Sequence, residues 1–320
     1  MSDLTSLLEL AAAQGGVVTT AQARALGWTR RALLEAVTRK ELLHLCRSVY
    51  ADPGRLPDGM PKGLAQAERH RLLCRGLLLV YPDAVLAACS AAVAHGLPTF
   101  TRTLSRCRLE RPLKHQVDTL AACLRPRSGE TTVMTELGPT VPVARAVAQI
   151  ACIDGMTAGV VAGDAALHDE LVSLADIQAV VDELCGQPGS AAAVAMLSHL
   201  DGRSESMGES RVRVLCNASG IEVIPQFVIE DELERFVGRV DLKVKGAMVV
   251  IEFDGEIKYG KDTDAVTAVL SEKKREERIR DLGYTVVRVT WSDLHNPTAL
   301  LARIRAAIAR AGKAPSPLAG

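Results

Sequence analysis

Two short apolar runs, Val240-Asp241-Leu242-Lys243-Val244 and Val249-Val250-Ile251-Glu252-Phe253-Asp254, flank the pair Gly246-Ala247. Their alternation predicts two strands, and the short spacing predicts one tight hairpin. Gly at the head of a two-residue loop suits a type II′ turn. That turn sets Val244 opposite Val249, Leu242 opposite Ile251 and Val240 opposite Phe253, so one face is expected to be wholly apolar. On the other face Asp241 falls opposite Glu252. Side chains so placed have Cβ atoms roughly 4.5–5.5 Å apart, and like charges there are destabilising. A divalent cation, a shared proton or a neighbouring cation must offset the repulsion. Carboxylates on adjacent strands can hold Mg²⁺ through hard oxygen ligands, and this pair is therefore an expected metal site. The bland alternative is a solvated sheet edge, screened by water and by Lys243.

The residues around the hairpin extend the pattern. They predict a helix at 206–219 closed by Gly220, strands at 222–229, 236–244 and 248–254, and a long helix from Asp264 to Leu282. A strand from Tyr284 to Thr290 and a helix at 297–311 follow. This order is an α/β arrangement with a mixed sheet flanked by helices.

The front of the chain has a different rhythm. A helix is expected over residues 3–14, ending at Gly15-Gly16. Thr19 or Thr20 can cap a second helix that stops at Gly27, and Thr29 a third from Arg30 to Lys40. Glu41 to Tyr50 then alternates like a hairpin. Three helices and a ribbon in about 50 residues predict a winged helix-turn-helix. Its third helix carries Arg30, Arg31, Arg39 and Lys40, and the ribbon carries Arg47. Arg30 and Arg31 stand at the helix start, where a recognition helix meets base edges.

The net charge of zero hides segregation. Residues 1–130 carry an excess of seven basic residues, whereas 131–208 carry an excess of eight acidic ones. A basic front is what phosphate contact requires. Residues 52–61 hold three prolines and two glycines and read as a linker. The 320 residues are thus expected to form three domains, at 1–52, 62–203 and 204–312, the middle one mainly helical. No apolar run reaches about 18 residues, so a membrane-spanning helix is not expected. Met1-Ser2-Asp3-Leu4 lacks a basic n-region, so a signal peptide is not expected either. Eight scattered cysteines without a CxxC argue against zinc and fit reduced thiols in a cytoplasm.

Two stretches resemble known families. Gly15-Gly16-Val17-Val18-Thr19-Thr20-Ala21-Gln22-Ala23 through Arg47-Ser48-Val49-Tyr50 resembles the winged-helix domain of AbiEi-type antitoxins of type IV toxin–antitoxin systems. Ser90-Ala91-Ala92-Val93-Ala94-His95-Gly96-Leu97-Pro98 is similar to the segment that often follows it. Residues 204–311 resemble the PD-(D/E)XK nucleases, in the branch of very-short-patch repair endonucleases. This second likeness rests on Glu209-Ser210-Arg211, Val240-Asp241-Leu242, Ile251-Glu252-Phe253-Asp254-Gly255, Glu272-Lys273-Lys274-Arg275-Glu276 and Gly283-Tyr284 through Trp291.

The nuclease resemblance implies a restriction-endonuclease-like fold with Mg²⁺ or Mn²⁺ held by Asp241, Glu252 and Glu209. The family's lysine belongs two residues after Glu252, where this chain has Asp254. Asp254 shares a strand face with Glu252, so it can add a carboxylate but cannot act as an ammonium. In the hairpin register Arg239 lies opposite Asp254, which makes a cross-strand ion pair the competing role. Lys258 or Lys273 would have to supply the missing cation, although Lys273 lies in a charge run that suits a solvated helix face. Two functions follow as expectations. One is a DNA-binding protein whose back domain hydrolyses phosphodiesters as a Mg²⁺-dependent endonuclease. The other is a non-enzymatic, antitoxin-type transcriptional regulator with a degenerate nuclease domain. The implied partners are DNA, a cognate toxin protein and a second copy of the chain as a homodimer.

Overall fold

The front helices are too short to persist alone, because isolated helices under about 12–15 residues are marginal in water. Their ends are capped instead by side chains. Asp3 accepts the Thr5 and Ser6 N–H groups and starts α1 (Leu4–Ala13). Strand β1 (Val17–Thr19) follows, and Thr19 forms a capping box with Gln22 at the start of α2 (Thr20–Ala25). Thr29 caps α3 (Arg30–Thr38), and β2 (Leu43–Cys46) and β3 (Val49–Ala51) complete the ribbon. Leu7, Val18, Ala23, Trp28, Leu33, Leu42 and Tyr50 form one buried core. The three strands are antiparallel in the order β1-β3-β2. The third strand, β1, joins the expected ribbon and makes this a winged-helix fold.

This computed structural model describes residues 3–100, 104–127, 131–255 and 273–311. The chain divides into two units, Met1–Ala162 with Leu171–Ser198, and Gly163–Glu170 with His199–Gly320. The first unit therefore holds the winged helix and most of the middle segment, whereas Gly163–Glu170, which includes the end of the helix at Met156–His168, belongs to the second. Leu72 of α4 (Lys62–Val80) packs with Val17, Val49 and Ala51 of the small sheet. The middle carries α5 (Ala88–Ala94), α6 (Val143–Asp154), α7 (Met156–His168), α8 (Leu174–Glu183) and α9 (Ser190–Leu197). It is also built on a six-stranded mixed sheet: β4 (Val85–Leu86), β5 (Cys107–Arg111), β6 (Val117–Asp118), β7 (Ala122–Pro126), β8 (Val133–Thr135) and β9 (Gly138–Thr140).

The second unit contains α10 (Met207–Ala218), β10 (Val223–Glu230), β11 (Phe236–Val244), β12 (Val249–Asp254), β13 (Thr285–Thr290) and α12 (Pro297–Arg310). Residues 273–281 form a helix, α11; the rest of the long helix expected from Asp264 lies outside the described residues. The sheet order is β10-β11-β12-β13, antiparallel except for the parallel pair β12–β13. On one face Val212 and Cys216 of α10, with Leu300, Ile304 and Ala307 of α12, cover Leu242, Val249, Ile251 and Val289. The other face packs Ile279 of α11 against Ile229, Val237, Val240 and Val250. Helices on both faces explain why Val249, Val250 and Ile251 are all buried rather than alternating.

Two details of the hairpin differ from the sequence reading. Leu242 does pair with Ile251, as the register requires. The turn, however, is closed by the Ala247 N–H donating to the Val244 carbonyl, so Lys245 and Gly246 are its central residues. Gly246 supplies the positive φ (77°) such a turn needs. Val240 does not share a cluster with Leu242; it joins Val250 on the α11 side. The change falls beside Gln226 of β10, whose φ of 51° interrupts the pairing between Pro225↔Leu242 and Phe227↔Val240.

Candidate functional site

Two groups of side chains concern function, one in each unit. The first surrounds α3. Its inner side is fixed by the buried Leu33 and Ala36, and its start by Thr29, whose hydroxyl accepts the Ala32 N–H at 3.1 Å. Arg30 and Arg31 in its first turn are exposed. Arg31 pairs with Glu35 at 2.8 Å and Arg39 with Glu41 at 3.0 Å. Exposed, solvent-screened pairs of this kind contribute little, so a phosphate can displace them. Among the described residues Arg30, Lys40 and Arg47 have no ion-pair partner. Arg47 is exposed at the turn between β2 and β3. That turn is tied to α2 by the Thr20 N–H, which donates to the Ser48 carbonyl at 2.9 Å. One rigid domain thus presents cations from a helix start, a helix end and a wing.

The second group is acidic. The Asp241 carboxylate accepts the Phe253 N–H at 2.7 Å, a donor that continued strand pairing would have used. Burial pushes the Asp241 carboxyl up to about 7; the Phe253 N–H opposes this, the charges of Glu209 and Glu252 add to it, and Arg275 opposes it. Glu252 is buried and pairs with Arg275 of α11 at 2.7 Å. Glu209 is buried in the first turn of α10, where its carboxylate accepts the Glu205 N–H at 3.0 Å and the Gln226 side-chain amide at 2.8 Å. Asp254 pairs with Arg288 of β13 at 3.2 Å, not with Arg239, which pairs with Glu205 at 2.9 Å. Lys243 is buried over the Phe227 ring, 5.2 Å from its centre, and so does not screen a solvated edge. Lys273 is exposed on α11. Lys258 lies outside the described residues.

The three expected metal ligands are therefore near one another, but each already has a protein donor. Glu252 has a guanidinium, Asp241 a backbone N–H, and Glu209 an N–H and an amide. Among the described residues no group of three or more His, Cys, Asp or Glu is arranged to hold a metal ion. As folded, the set does not fit Mg²⁺, which needs near-octahedral oxygen ligation. Sequence reasoning missed Arg275 and Gln226. Arg275 was hidden in the charge run Glu272 to Arg278, and only its register against Glu252 would have marked it.

A pH test follows from Asp241. Its carboxyl ionises near 3.8 when unperturbed and near 7 in the fold. The folded state holds the extra proton between those values, so stability falls as pH rises from about 4 to about 7. Asp241→Asn retains an oxygen that can accept the Phe253 N–H. It is expected to be nearly neutral at pH 4 and to stabilise by about 1–2 kcal/mol at pH 8, after allowing for solvent screening of a half-buried group. Thermal melts of both proteins across this range would contradict the assignment if the difference did not change with pH.

Comparison with known proteins bears on the first group. Residues 6–51 match the family described as "Transcriptional regulator, AbiEi antitoxin". The match runs from within α1 to the end of β3 and so covers nearly all of the winged-helix segment. No curated protein matches the chain. No helix among the described residues is long and apolar enough to cross a membrane.

Proposed function

We propose that this protein is a DNA-binding transcriptional regulator of the antitoxin type, reading DNA with α3 and gripping the backbone with Arg39, Lys40 and the Arg47 wing. The observation that carries this reading is the exposed Arg30–Arg31 pair at the start of a capped helix, within the very segment that matches the AbiEi antitoxin regulators. A helix start in the major groove brings such side chains to base edges, where Arg can bond guanine through two hydrogen bonds. The other cations would contact phosphates, which set position and affinity but not sequence. The same reading implies a cognate toxin protein as partner. It also allows a homodimer, which would appear as two half-sites about 10 base pairs apart.

Footprinting on DNA upstream of its own coding sequence tests the proposal. A protected site is expected, with log affinity falling against log salt by about 0.9 per phosphate contacted. Equal affinity for that DNA and for random duplex would refute sequence reading. Hydrolysis of DNA through Mg²⁺ or Mn²⁺ is not part of this proposal, because Glu252 is engaged by Arg275 and Asp241 by the Phe253 N–H.

A further inference from the structure

The acidic cluster of the second unit raises a separate question: what holds those carboxylates together? Three details converge on Arg275. Its Nη2 donates to Glu252 at 2.7 Å. Its Nη1 donates to the Arg239 carbonyl at 2.9 Å. Its stem runs beside Gly238, where a Cβ would stand 3.2 Å from Cγ and 3.3 Å from Cδ. The absent side chain at Gly238 thus provides the room in which the guanidinium reaches β11 and β12. A planar guanidinium with several fixed donors can serve a carboxylate and a carbonyl at once, which an ammonium does less well. A second arginine repeats the arrangement one step along the strand, where Arg288 serves both Asp254 and Glu276.

We infer that Arg275 is the built-in counter-cation of the Glu209–Asp241–Glu252 cluster and stands where a divalent cation would otherwise have to offset these carboxylates. The carboxylates are held by an arginine latch from α11, and the unit needs no metal for its fold. Removal of the latch should leave acidic oxygens that recruit one. This inference does not depend on what the winged helix binds, so a failed footprint would leave it standing.

The test uses the full chain, with melts in excess Mg²⁺ and in EDTA and calorimetric titration with Mg²⁺ and Mn²⁺. The wild type is expected to show no saturable binding at this cluster and a melting shift under about 1 °C. Arg275→Met keeps the aliphatic stem and removes the charge. It is expected to melt lower in EDTA and to regain about 3 °C or more in Mg²⁺, because a ligand that binds only the native state stabilises it. Arg275→Lys keeps a charge and is expected to stay closer to the wild type in its indifference to Mg²⁺.

Saturable Mg²⁺ or Mn²⁺ binding by the wild type that Glu252→Gln abolishes would overturn the inference. A folded Arg275→Met that still ignores both ions would overturn it too. If Arg275→Met fails to fold, the wild-type titration and Arg275→Lys decide. Metal-indifferent behaviour of both supports the latch, and metal binding by the wild type ends it.

Discussion

Arg213→Ala is expected to destabilise the second unit by about 3–5 kcal/mol, as loss of one partner from a buried ion pair does. Arg213 on α10 and Asp164 on α7 are only 4% and 1% exposed, and their pairing distance is 2.5 Å. The rest of both groups is also satisfied. Arg213 Nε donates to the Ser204 hydroxyl at 3.2 Å, and Asp164 accepts the Asp201 N–H at 2.8 Å. Burial raises the Asp164 carboxyl pKa even against the opposing charge of Arg213 and the hydrogen bonds of Ser210 and Asp201. Without Arg213 that carboxylate is left buried without its cation. The folded pKa then rises further above the unfolded one, so the loss of stability should be larger at pH 8 than at pH 5. The apolar double variant Arg213→Met/Asp164→Leu should recover most of the loss, because a buried pair is often close to neutral against well-packed hydrophobic groups. Urea melts followed by Trp291 fluorescence in a Trp28→Phe background report on this unit. A loss below about 1 kcal/mol for Arg213→Ala would show that water reaches Asp164.

Much of the second unit could be read from its residues because each strand is long enough to show its character. Val223–Glu230, Phe236–Val244 and Thr285–Thr290 are all six residues or more, rich in β-branched side chains and bounded by Gly or charged turns. The middle segment gave only a weak strand signal, between Arg102 and Thr132. Its strands Val85–Leu86 and Val117–Asp118 are two residues each, too short for any period to appear. Strand β1 escaped notice for the same reason, being three residues that are all buried. These strands exist because tertiary packing supplies partners, and local pattern does not encode that.

The candidate sites divide in a similar way. The cations of α3 were legible because a cap, Thr29, and an inward Leu33 fix which residues face out. The acidic cluster was legible as residues but not as an arrangement. Opposing Asp241 to Glu252 by register captured their nearness. It could not show that Asp241 takes a backbone N–H, that Gln226 adopts a positive φ within the strand, or that an arginine about twenty residues further on reaches Glu252. The fold supplies a neighbouring cation at Glu252, and burial, with the nearby acidic charges adding to it, favours a proton on Asp241 towards neutral pH.

The double variant Arg30→Ala/Arg31→Ala is expected to weaken binding to the preferred DNA site by about 100-fold or more at moderate salt, since each bidentate base contact contributes about 1–3 kcal/mol. Binding to random duplex should fall much less, so the variant loses discrimination rather than adhesion. Arg39→Ala and Lys40→Ala should behave differently. Each should weaken binding to all sequences alike and lower the salt slope by about one. Folding should be little affected in either set. Arg30 and Arg31 are exposed, and surface changes of this kind usually stay within about 0.5 kcal/mol. An unchanged melting temperature therefore separates loss of recognition from loss of structure. Titration of labelled duplex at several salt concentrations reads both affinity and slope. Should the Arg30→Ala/Arg31→Ala protein keep its full preference for the site, α3 would not be the reading helix, and the wing around Arg47 would be the next element to replace.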